Sequence, residues 1–171
     1  NYQEIKREII ALGYSFNSSS DTEVLLCGYE AWGSDMFRFL EGMFAFAIYD
    51  LKKNKLLLVR DGAGEKPLFY SLVNKSLFFA SEIKALLDFN MIERDIDIDA
   101  LNHLFSRGYS SNTQSIFSNI LKLDAGNYLE FDIETRKTKI SKFWSLEQKI
   151  KESSPSKISN NLNSKYLINK L

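Results

Sequence analysis

The chain has 171 residues, a length that favours one domain with some remainder. Its 22 lysines and arginines balance its 22 aspartates and glutamates, and this zero net charge argues against a nucleic-acid or anionic-membrane partner, because both need a basic excess. One cysteine, Cys27, and one histidine, His103, exclude an internal disulfide, a cysteine-rich zinc site and a metal site built from several histidines.

The first residues carry the pattern of a helix. Asn1 and Glu4 have the spacing of a capping box, and apolar residues recur at helical spacing until Gly13. Because the chain starts at a helix cap, we expect it to be an internal piece of a longer protein.

Helical and extended patterns then alternate along the chain. The second helix is closed by Gly33, and the period changes at Gly42, where an apolar strand begins. In chain order we predict helices over 2–13, 21–32 and 35–40; strands over 42–50, 56–59, 68–72 and 76–80; helices over 82–87 and 99–107; and a hairpin of strands over 128–133 and 138–143.

The predicted strands lack a polar face. In the first strand, Phe44, Phe46 and Ile48 fall on one side, and the smaller Ala45 and Ala47 fall on the other. Short connections between the strands indicate antiparallel hairpins, whose sheets usually keep one polar face. Because these strands do not, we predict an α+β fold in which helix, sheet, sheet and helix form a layered sandwich.

The composition shifts after Trp144. Residues 145–164 are rich in Ser, Asn and Lys, contain Pro155 and show no sustained period, which is typical of a linker. An apolar period returns at residues 166–171 and then stops. We therefore predict one domain over residues 1–146, a linker over 147–165 and the start of a further domain over 166–171.

The sequence also lacks the patterns of targeting and of membrane insertion. Asn1 is not followed by the basic segment, apolar segment and cleavage site of a secretory signal. The longest apolar run, residues 43–49, is far shorter than the ~20 residues of a membrane helix. We expect a cytoplasmic protein without a membrane partner.

Residues 20–23, Ser-Asp-Thr-Glu, contain the first candidate for a binding site. As a capping box, Ser20 caps the second helix and Glu23 reaches back to the N–H group of the cap. Asp21 then lies in the first helical turn, where the helix dipole and the unpaired N–H groups favour an anion. A carboxylate held ionised there can bind a substrate ammonium group through a charge-assisted hydrogen bond. The two interpretations are compatible, and the pattern alone does not single out the second.

The segment from Asp61 to Lys66 contains two glycines and invites comparison with a phosphate-binding loop. Such a loop needs Ser or Thr after its lysine at the start of a helix, whereas Pro67 follows Lys66 and a strand is predicted next. The glycines are better explained by a turn between strands. Arg60 and Asp61 either pair locally to hold this turn or point into a cleft, and the structural role is favoured.

Neither Cys27 nor His103 has the surroundings of a catalytic residue. Cys27 lies on the face of the second helix that we expect to be buried, and a buried helical cysteine without an adjacent histidine is usually inert. His103 falls opposite the apolar stripe of Leu101, Leu104 and Phe105, so we expect it to be solvated. No carboxylate pair has a spacing that indicates a glycosidase. The residues provide one ammonium-binding candidate and no complete catalytic constellation.

A family resemblance rests on six stretches of the sequence. They are NYQE leading to LGY (1–14), SDTEVLL (20–26), GMFAFAIYD (42–50), RDGAGEKPLFY (60–70), FASEIKAL (79–86) and LDAGNYL (123–129). Their order and spacing resemble the N-terminal glutaminase domain of the glutamine-hydrolysing asparagine synthetases, which are class II glutamine amidotransferases. The resemblance covers residues 1–146. The stretch from 42 to 87 is more similar to asparagine synthetases than to the sugar-phosphate or purine-pathway members of the class.

The resemblance implies a fold and a reaction. The family fold is the four-layer αββα sandwich of N-terminal-nucleophile hydrolases, here incomplete at the N-terminus. In the family reaction, an N-terminal cysteine attacks the side-chain amide of L-glutamine, and ammonia is released. Asp21 matches the family aspartate that holds the α-ammonium group of glutamine, and Arg60, Asp61 and Glu82 are placed as structural or site-proximal residues. Cys27 does not match the nucleophile, which is expected upstream of this chain.

The resemblance also implies what the rest of the parent protein does. It implies a C-terminal synthetase domain in cis, which binds ATP and Mg²⁺ and uses the ammonia to convert aspartate to asparagine, and it allows a homodimer. No cofactor is expected on this chain, and the chain alone is expected not to hydrolyse glutamine. Gly62 departs from the family, which commonly has a larger, often basic residue there. A non-catalytic scaffold of the same fold, and an amidotransferase with another acceptor, remain alternatives.

Overall fold

The structure is a computed structural model that describes residues 1–152. Helices and strands alternate along the chain much as their sequence patterns predict. The helices are α1 (Tyr2–Ala11), α2 (Asp21–Trp32), α3 (Ile83–Leu87), α4 (Ile98–Arg107) and α5 (Leu146–Glu152), with a 3₁₀ helix over Gly33–Phe39. The strands are β1 (Ala45–Asp50), β2 (Lys55–Arg60), β3 (Phe69–Val73), β4 (Ser76–Ala80), β5 (Leu121–Lys122), β6 (Asn127–Asp132) and β7 (Thr138–Lys142).

The strands form two antiparallel sheets. The first sheet has the order β1-β2-β6-β7, and the second has the order β4-β3-β5. In the first sheet, β2 lies between its hairpin partner β1 and the later strand β6. Leu58 of β2 stands opposite Leu129 of β6. The predicted class, mixed α+β with antiparallel sheets, is confirmed.

The core lies between the sheets and on both of their outer faces. Between the sheets, Leu58 and Leu129 of the first sheet pack with Tyr70 of the second. On the other face of the first sheet, Leu57 and Val59 pack with Phe37 of the 3₁₀ helix and with neighbouring aromatic rings. On the other face of the second sheet, Phe69 and Phe78 pack around Leu86 of α3. The strands therefore lack a polar face because apolar neighbours cover both sides of the two sheets.

Strand β1 is covered less completely than its sequence predicts. Phe44, Phe46 and Ile48 pack on the helix side of the sheet, and Ala45 contacts the core between the sheets. Ala47, however, is exposed. Among the described residues, β1 lies at the edge of the first sheet and pairs with β2 alone.

The N-terminal capping box is wrong in its detail. Asn1 stands at the N-cap position of α1, but its side chain makes no capping hydrogen bond. Instead its amide nitrogen donates to the carbonyl of Phe39 at 2.8 Å, and its amide oxygen accepts from the N–H of Glu41 at 3.0 Å. The side chain thus ties the start of α1 to the segment that follows the 3₁₀ helix.

The predicted linker begins with a helix. Ser145 accepts a hydrogen bond from the N–H of Gln148 at 3.2 Å, which is the contact of an N-cap residue, and α5 follows. Its apolar residues Leu146 and Ile150 have helical spacing but are exposed, and a single pair does not make a sustained period. The rest of the predicted linker, residues 153–165, and the predicted start of a further domain, residues 166–171, lie outside the described residues.

Helix α4 differs from its predicted apolar stripe at one position. Leu101 and Leu104 are half-buried, but Phe105 is 79 % exposed. Within residues 1–152, no helix combines the length and the apolar character required to cross a membrane.

Candidate functional site

Asp21 begins helix α2 with its carboxylate exposed. Ser20 is the N-cap, and its hydroxyl oxygen accepts from the N–H of Thr22 at 3.1 Å. Glu23 does not reach back to the cap as a capping box requires, because its carboxylate accepts from the N–H groups of Asn17 at 2.8 Å and Ser18 at 2.7 Å. These hydrogen bonds, with the one to Asn17 foremost, lower the pKa of Glu23. The predicted capping box is therefore half-formed, and Glu23 fastens the preceding loop instead.

The Asp21 side chain has little bonding within the protein. Within residues 1–152, its Oδ1 accepts one long hydrogen bond, 3.4 Å from the hydroxyl of Thr22. The carboxylate lies at the first turn of a 12-residue helix, where the helix dipole stabilises a negative charge. It is therefore placed to accept stronger hydrogen bonds from a ligand.

Asp21 lines two neighbouring cavities. The larger is a cleft of about 540 Å³, and a smaller cavity of about 160 Å³ lies toward the start of α1. The cleft lies between the first turns of α2, the entry to β1, the loop before β3 and the residue after β4. Its lining residues are Asp21, Thr22, Leu25, Met43, Phe44, Ala45, Phe46, Lys66, Pro67 and Ser81.

Arg60 holds the loop that brings Lys66 to this cleft. Its side chain is almost completely buried at the end of β2, and its three nitrogens donate to backbone carbonyls: Nε to Lys66 at 2.8 Å, Nη1 to Leu123 at 2.6 Å, and Nη2 to Gly64. Burial lowers the pKa of Arg60. Because all of these acceptors are carbonyl oxygens of the protein, the guanidinium fixes the loop and does not point into the cleft.

Asp61 fixes the same loop from its other side. The residue is 0 % exposed, and its carboxylate accepts from the N–H groups of Glu65 and Lys66, both at 3.0 Å. Its own N–H donates to the carbonyl of Phe44 at 2.9 Å, and its carbonyl accepts from Gly126 at 2.9 Å. Arg60 and Asp61 thus hold the turn through backbone groups and not through an ion pair with each other.

The glycines of the loop make room for this arrangement. Gly64 has a φ of +70°, and a side chain there would begin 3.1 Å from a guanidinium nitrogen of Arg60. At Gly62, a side chain would begin 2.7 Å from the ring of Trp144. Trp144 thus occupies the space that a larger residue at position 62 would need, which accounts for the departure at Gly62. The loop leads into strand β3 and not into a helix, in agreement with the rejection of a phosphate-binding loop.

Glu82 lies beside the cleft without lining it. It is exposed, stands at the N-cap position of α3 and makes no capping hydrogen bond. Its neighbour Ser81 lines the cleft, as does Lys66. No local sequence pattern links Lys66 and Ser81 to Asp21, although each is within five residues of Asp61 or Glu82 along the chain.

Cys27 and His103 lie apart from the cleft-lining residues. Cys27 is six residues along α2 from Asp21, a rise of about 9 Å, and is half-buried against the cluster of Ile5, Ile9 and Val24. Burial raises the pKa of its thiol. His103 is half-buried and not fully solvated as predicted; its Nδ1 lies 3.1 Å from the carbonyl of Tyr109. Over residues 1–152, no group of three or more His, Cys, Asp and Glu side chains could hold a metal ion.

Comparison with known proteins places these features in one family. The family described as glutamine amidotransferase domain matches residues 1–144. The chain is 40 % identical over 152 residues to asparagine synthetase [glutamine-hydrolyzing] 2 of Bacillus subtilis (strain 168), a match that covers 86 % of this chain and 20 % of the relative. It is 36 % identical over 148 residues to asparagine synthetase [glutamine-hydrolyzing] 3 of the same organism, covering 86 % of this chain and 24 % of the relative.

Solved structures show the same fold. The glutamine phosphoribosylpyrophosphate amidotransferase from B. subtilis, complexed with ADP and GMP, matches with a TM-score of 0.57 at 20 % identity, covering 84 % of this chain and 27 % of that one. The chain spans about a fifth to a quarter of the length of the relatives that it matches. From the match over residues 1–144, the chain belongs to the glutamine amidotransferase domain family and is related to the asparagine synthetases over their N-terminal domain.

Proposed function

We propose that this chain binds L-glutamine in the cleft at the head of α2, with Asp21 accepting the α-ammonium group. The observation that carries the proposal is the Asp21 carboxylate, exposed in a cleft of about 540 Å³ with a single long hydrogen bond from the residues that the structure describes. A charge-assisted hydrogen bond from an ammonium group would satisfy it. Membership of the glutamine amidotransferase family supports glutamine as the ligand.

For the whole protein, we propose that glutamine hydrolysis supplies ammonia for the ATP-dependent conversion of aspartate to asparagine. The names and identities of the two B. subtilis relatives support this acceptor. A synthetase domain in cis would bind ATP and Mg²⁺; the chain covers 20 % and 24 % of the lengths of these two relatives, which leaves room for such a domain in a protein of their length. The packing of helices on both outer faces of the paired sheets supports the four-layer αββα sandwich of N-terminal-nucleophile hydrolases as the complete domain fold.

The role of Asp21 is tested by titrating the full 171-residue chain with L-glutamine and following backbone amide shifts by NMR, which measures weak dissociation constants. We expect Asp21→Asn to raise the Kd by about 10- to 100-fold, because one hydrogen bond to a charged group contributes about 1.5–3 kcal/mol. Glu30→Gln is the matched control, since it removes the same charge from an exposed position near the other end of α2.

A ligand without the amine makes this test specific. The deaminated analogue 4-carbamoylbutanoate keeps the carboxylate and the side-chain amide of glutamine but has no ammonium group, so Asp21→Asn should not weaken its binding. An equal Kd for glutamine in these two proteins would overturn the role of Asp21. If a large excess of glutamine leaves the spectrum of the folded chain unchanged, the non-catalytic scaffold becomes the better explanation.

A further inference from the structure

A separate cavity of about 150 Å³, here called the Trp144 cavity, lies between the 3₁₀ helix, the residues that follow β7, and α5. It is lined by Arg38, Phe143, Trp144, Ser145, Gln148 and Lys149. None of these residues lines the cleft or the smaller cavity at Asp21. The proposed function therefore leaves the Trp144 cavity unexplained.

Phe143 and Trp144 form an apolar wall of this cavity, and the rest of the domain holds that wall in place. The backbone N–H groups of both residues donate to the carbonyl of Gly126, at 2.9 and 3.1 Å. The Phe143 side chain is buried, and its ring packs edge-on against the ring of Phe37. The ring of Trp144 lies against Gly62, where no side chain comes between them. Because the wall is fixed in advance, a ligand that contacts it does not have to order it.

Two basic side chains reach the Trp144 cavity from different elements. Arg38 lies in the last turn of the 3₁₀ helix, and Lys149 lies on α5, where its spacing from Ser145 and Gln148 places the three residues on one side of the helix. Among the described residues, neither Arg38 nor Lys149 has a salt bridge or a side-chain hydrogen bond. No carboxylate lines the cavity within this part of the chain. Both positive charges are therefore available to a ligand.

The lining restricts the class of ligand. Two like charges on one small cavity repel each other, and an anion bound between them relieves that repulsion. A guanidinium group binds a carboxylate through two parallel hydrogen bonds. Pockets for drug-sized ligands usually have about 300–1,000 Å³, so a cavity of about 150 Å³ admits only a small molecule. The apolar wall favours an anion that buries an apolar group over a bare ion.

We propose that the Trp144 cavity binds a small carboxylate that carries an aromatic ring. Arg38 and Lys149 hold the carboxylate group, and the rings of Phe143 and Trp144 contact the aromatic ring. The inference is independent of glutamine binding, because the residues that carry it do not line the cleft.

The test uses benzoate as the probe and measures Kd by NMR titration of the full 171-residue chain. The indole N–H signal of Trp144 reports on the cavity itself, and Trp32→Phe assigns that signal because the chain has two tryptophans. Benzamide keeps the ring without the charge, and acetate keeps the carboxylate without the ring. We expect benzoate to shift the Trp144 signal and to bind on the order of tenfold more tightly than benzamide, as for one hydrogen bond to a charged group. Acetate should bind more weakly than benzoate.

Variants of the two basic residues locate the binding. Arg38→Gln and Lys149→Gln should each weaken benzoate binding on the order of tenfold and leave benzamide binding unchanged. Both side chains are exposed, so we expect the fold to be retained, which the amide signals away from the cavity check. Arg38→Lys should bind benzoate more tightly than Arg38→Gln, because it keeps the charge. Lys139→Gln is the matched control, an exposed lysine lost from the other half of β7.

Three results would overturn the inference. They are a Trp144 signal that a large excess of benzoate leaves unchanged, benzoate binding that neither Arg38→Gln nor Lys149→Gln weakens, and equal affinities for benzoate and acetate. The Asp21→Asn titration follows glutamine and not benzoate, so this inference and the proposed function fail separately.

Discussion

Asp61 is a buried carboxylate that no ligand can reach. Burial by itself raises its pKa, but the backbone hydrogen bonds from Lys66 and Glu65 outweigh that effect, so that the pKa lies below its ordinary value. The folded state therefore favours the ionised form, and ionised Asp61 stabilises the fold. Its contribution is structural, although the residue lies next to the wall of the cleft.

We predict that Asp61→Asn lowers the free energy of unfolding at pH 7 by about 1.5–3 kcal/mol, the range of a hydrogen bond to a charged group. An asparagine amide offers one acceptor oxygen, and its NH₂ group would face the N–H of Glu65 or Lys66. Urea unfolding followed by circular dichroism measures the change.

The same variant has a defined dependence on pH. Because the folded-state pKa is lowered, the stabilisation by Asp61 is complete above the ordinary carboxyl pKa and is lost as the pH falls through the folded-state value. The difference in unfolding free energy between the unsubstituted chain and Asp61→Asn should therefore shrink below about pH 4. A difference that stays constant from pH 7 to pH 3 would contradict this role.

The position of Asp21 is predictable from local sequence, but its neighbours in the cleft are not. Ser20 and the apolar period that follows it place Asp21 in the first turn of α2, and the family resemblance assigns it a ligand. Lys66 lines the same cleft as Asp21, 45 positions away in the chain, because the loop after β2 brings it there. Most side-chain partners of Arg60 and Asp61 lie within the same loop, but Arg60 also donates to the carbonyl of Leu123, 63 positions away, so the residue pattern leaves two roles open until the fold is known.

Among the elements, the best-predicted ones have their own end signals. Helix α2 runs from the residue after Ser20 to the residue before Gly33, and β4 is bounded by the Asn74-Lys75 turn, so both agree with their predicted limits. Strand β5 has only two residues and exists through its pairing with β3, which no local pattern reveals. Helix α5 has seven residues with one apolar pair at helical spacing, Leu146 and Ile150, which is too short for a sustained period.

The free edge of β1 has a consequence for the isolated chain. Within residues 1–152, β1 pairs with β2 alone, and both Ala47 and Tyr49 on it are exposed. An unprotected edge strand can pair with the same strand of another copy. We predict concentration-dependent self-association of the chain, which light scattering after size-exclusion chromatography measures.

In this association, Ala47→Lys should favour the monomer, because antiparallel pairing of two β1 strands would bring two introduced charges close together. Lys139→Gln on β7 serves as a control at the opposite edge of the sheet. If Ala47→Lys associates as strongly as the unsubstituted chain, the β1 edge is not the contact.

At the scale of the whole molecule, we predict that the 171-residue chain releases no ammonia from L-glutamine. Cys27 is its only cysteine, and it does not line the cleft. It lies against the cluster of Ile5, Ile9 and Val24, where burial raises the pKa of its thiol. An ammonia assay coupled to glutamate dehydrogenase, with Cys27→Ala as the control, measures this. Turnover above the blank that disappears in Cys27→Ala would show that Cys27 is a nucleophile.

The layered fold could be predicted because its cause is in the strands themselves. Strands without a polar face need cover on both sides, and the structure provides a second sheet between β2 and α3 as well as helices outside. The sequence does not indicate how far each layer extends. Ala47 is exposed although its neighbour Ala45 contacts the core between the sheets, a difference that the alternation along β1 does not reveal.

The hydrogen bonds that hold the Asp61–Lys66 loop determine how short a chain can be and still form the cleft. Every residue that lines the cleft lies between positions 21 and 81, which suggests that a shortened chain would suffice. Yet the loop depends on the carbonyl of Leu123 and the N–H of Gly126, some 40 residues further on. A chain that ended before Leu123 would leave Arg60 Nη1 and the Asp61 carbonyl without their partners, and the loop that carries Lys66 would lose two of its anchors. A chain that keeps the cleft intact must therefore extend well beyond the residues that line it.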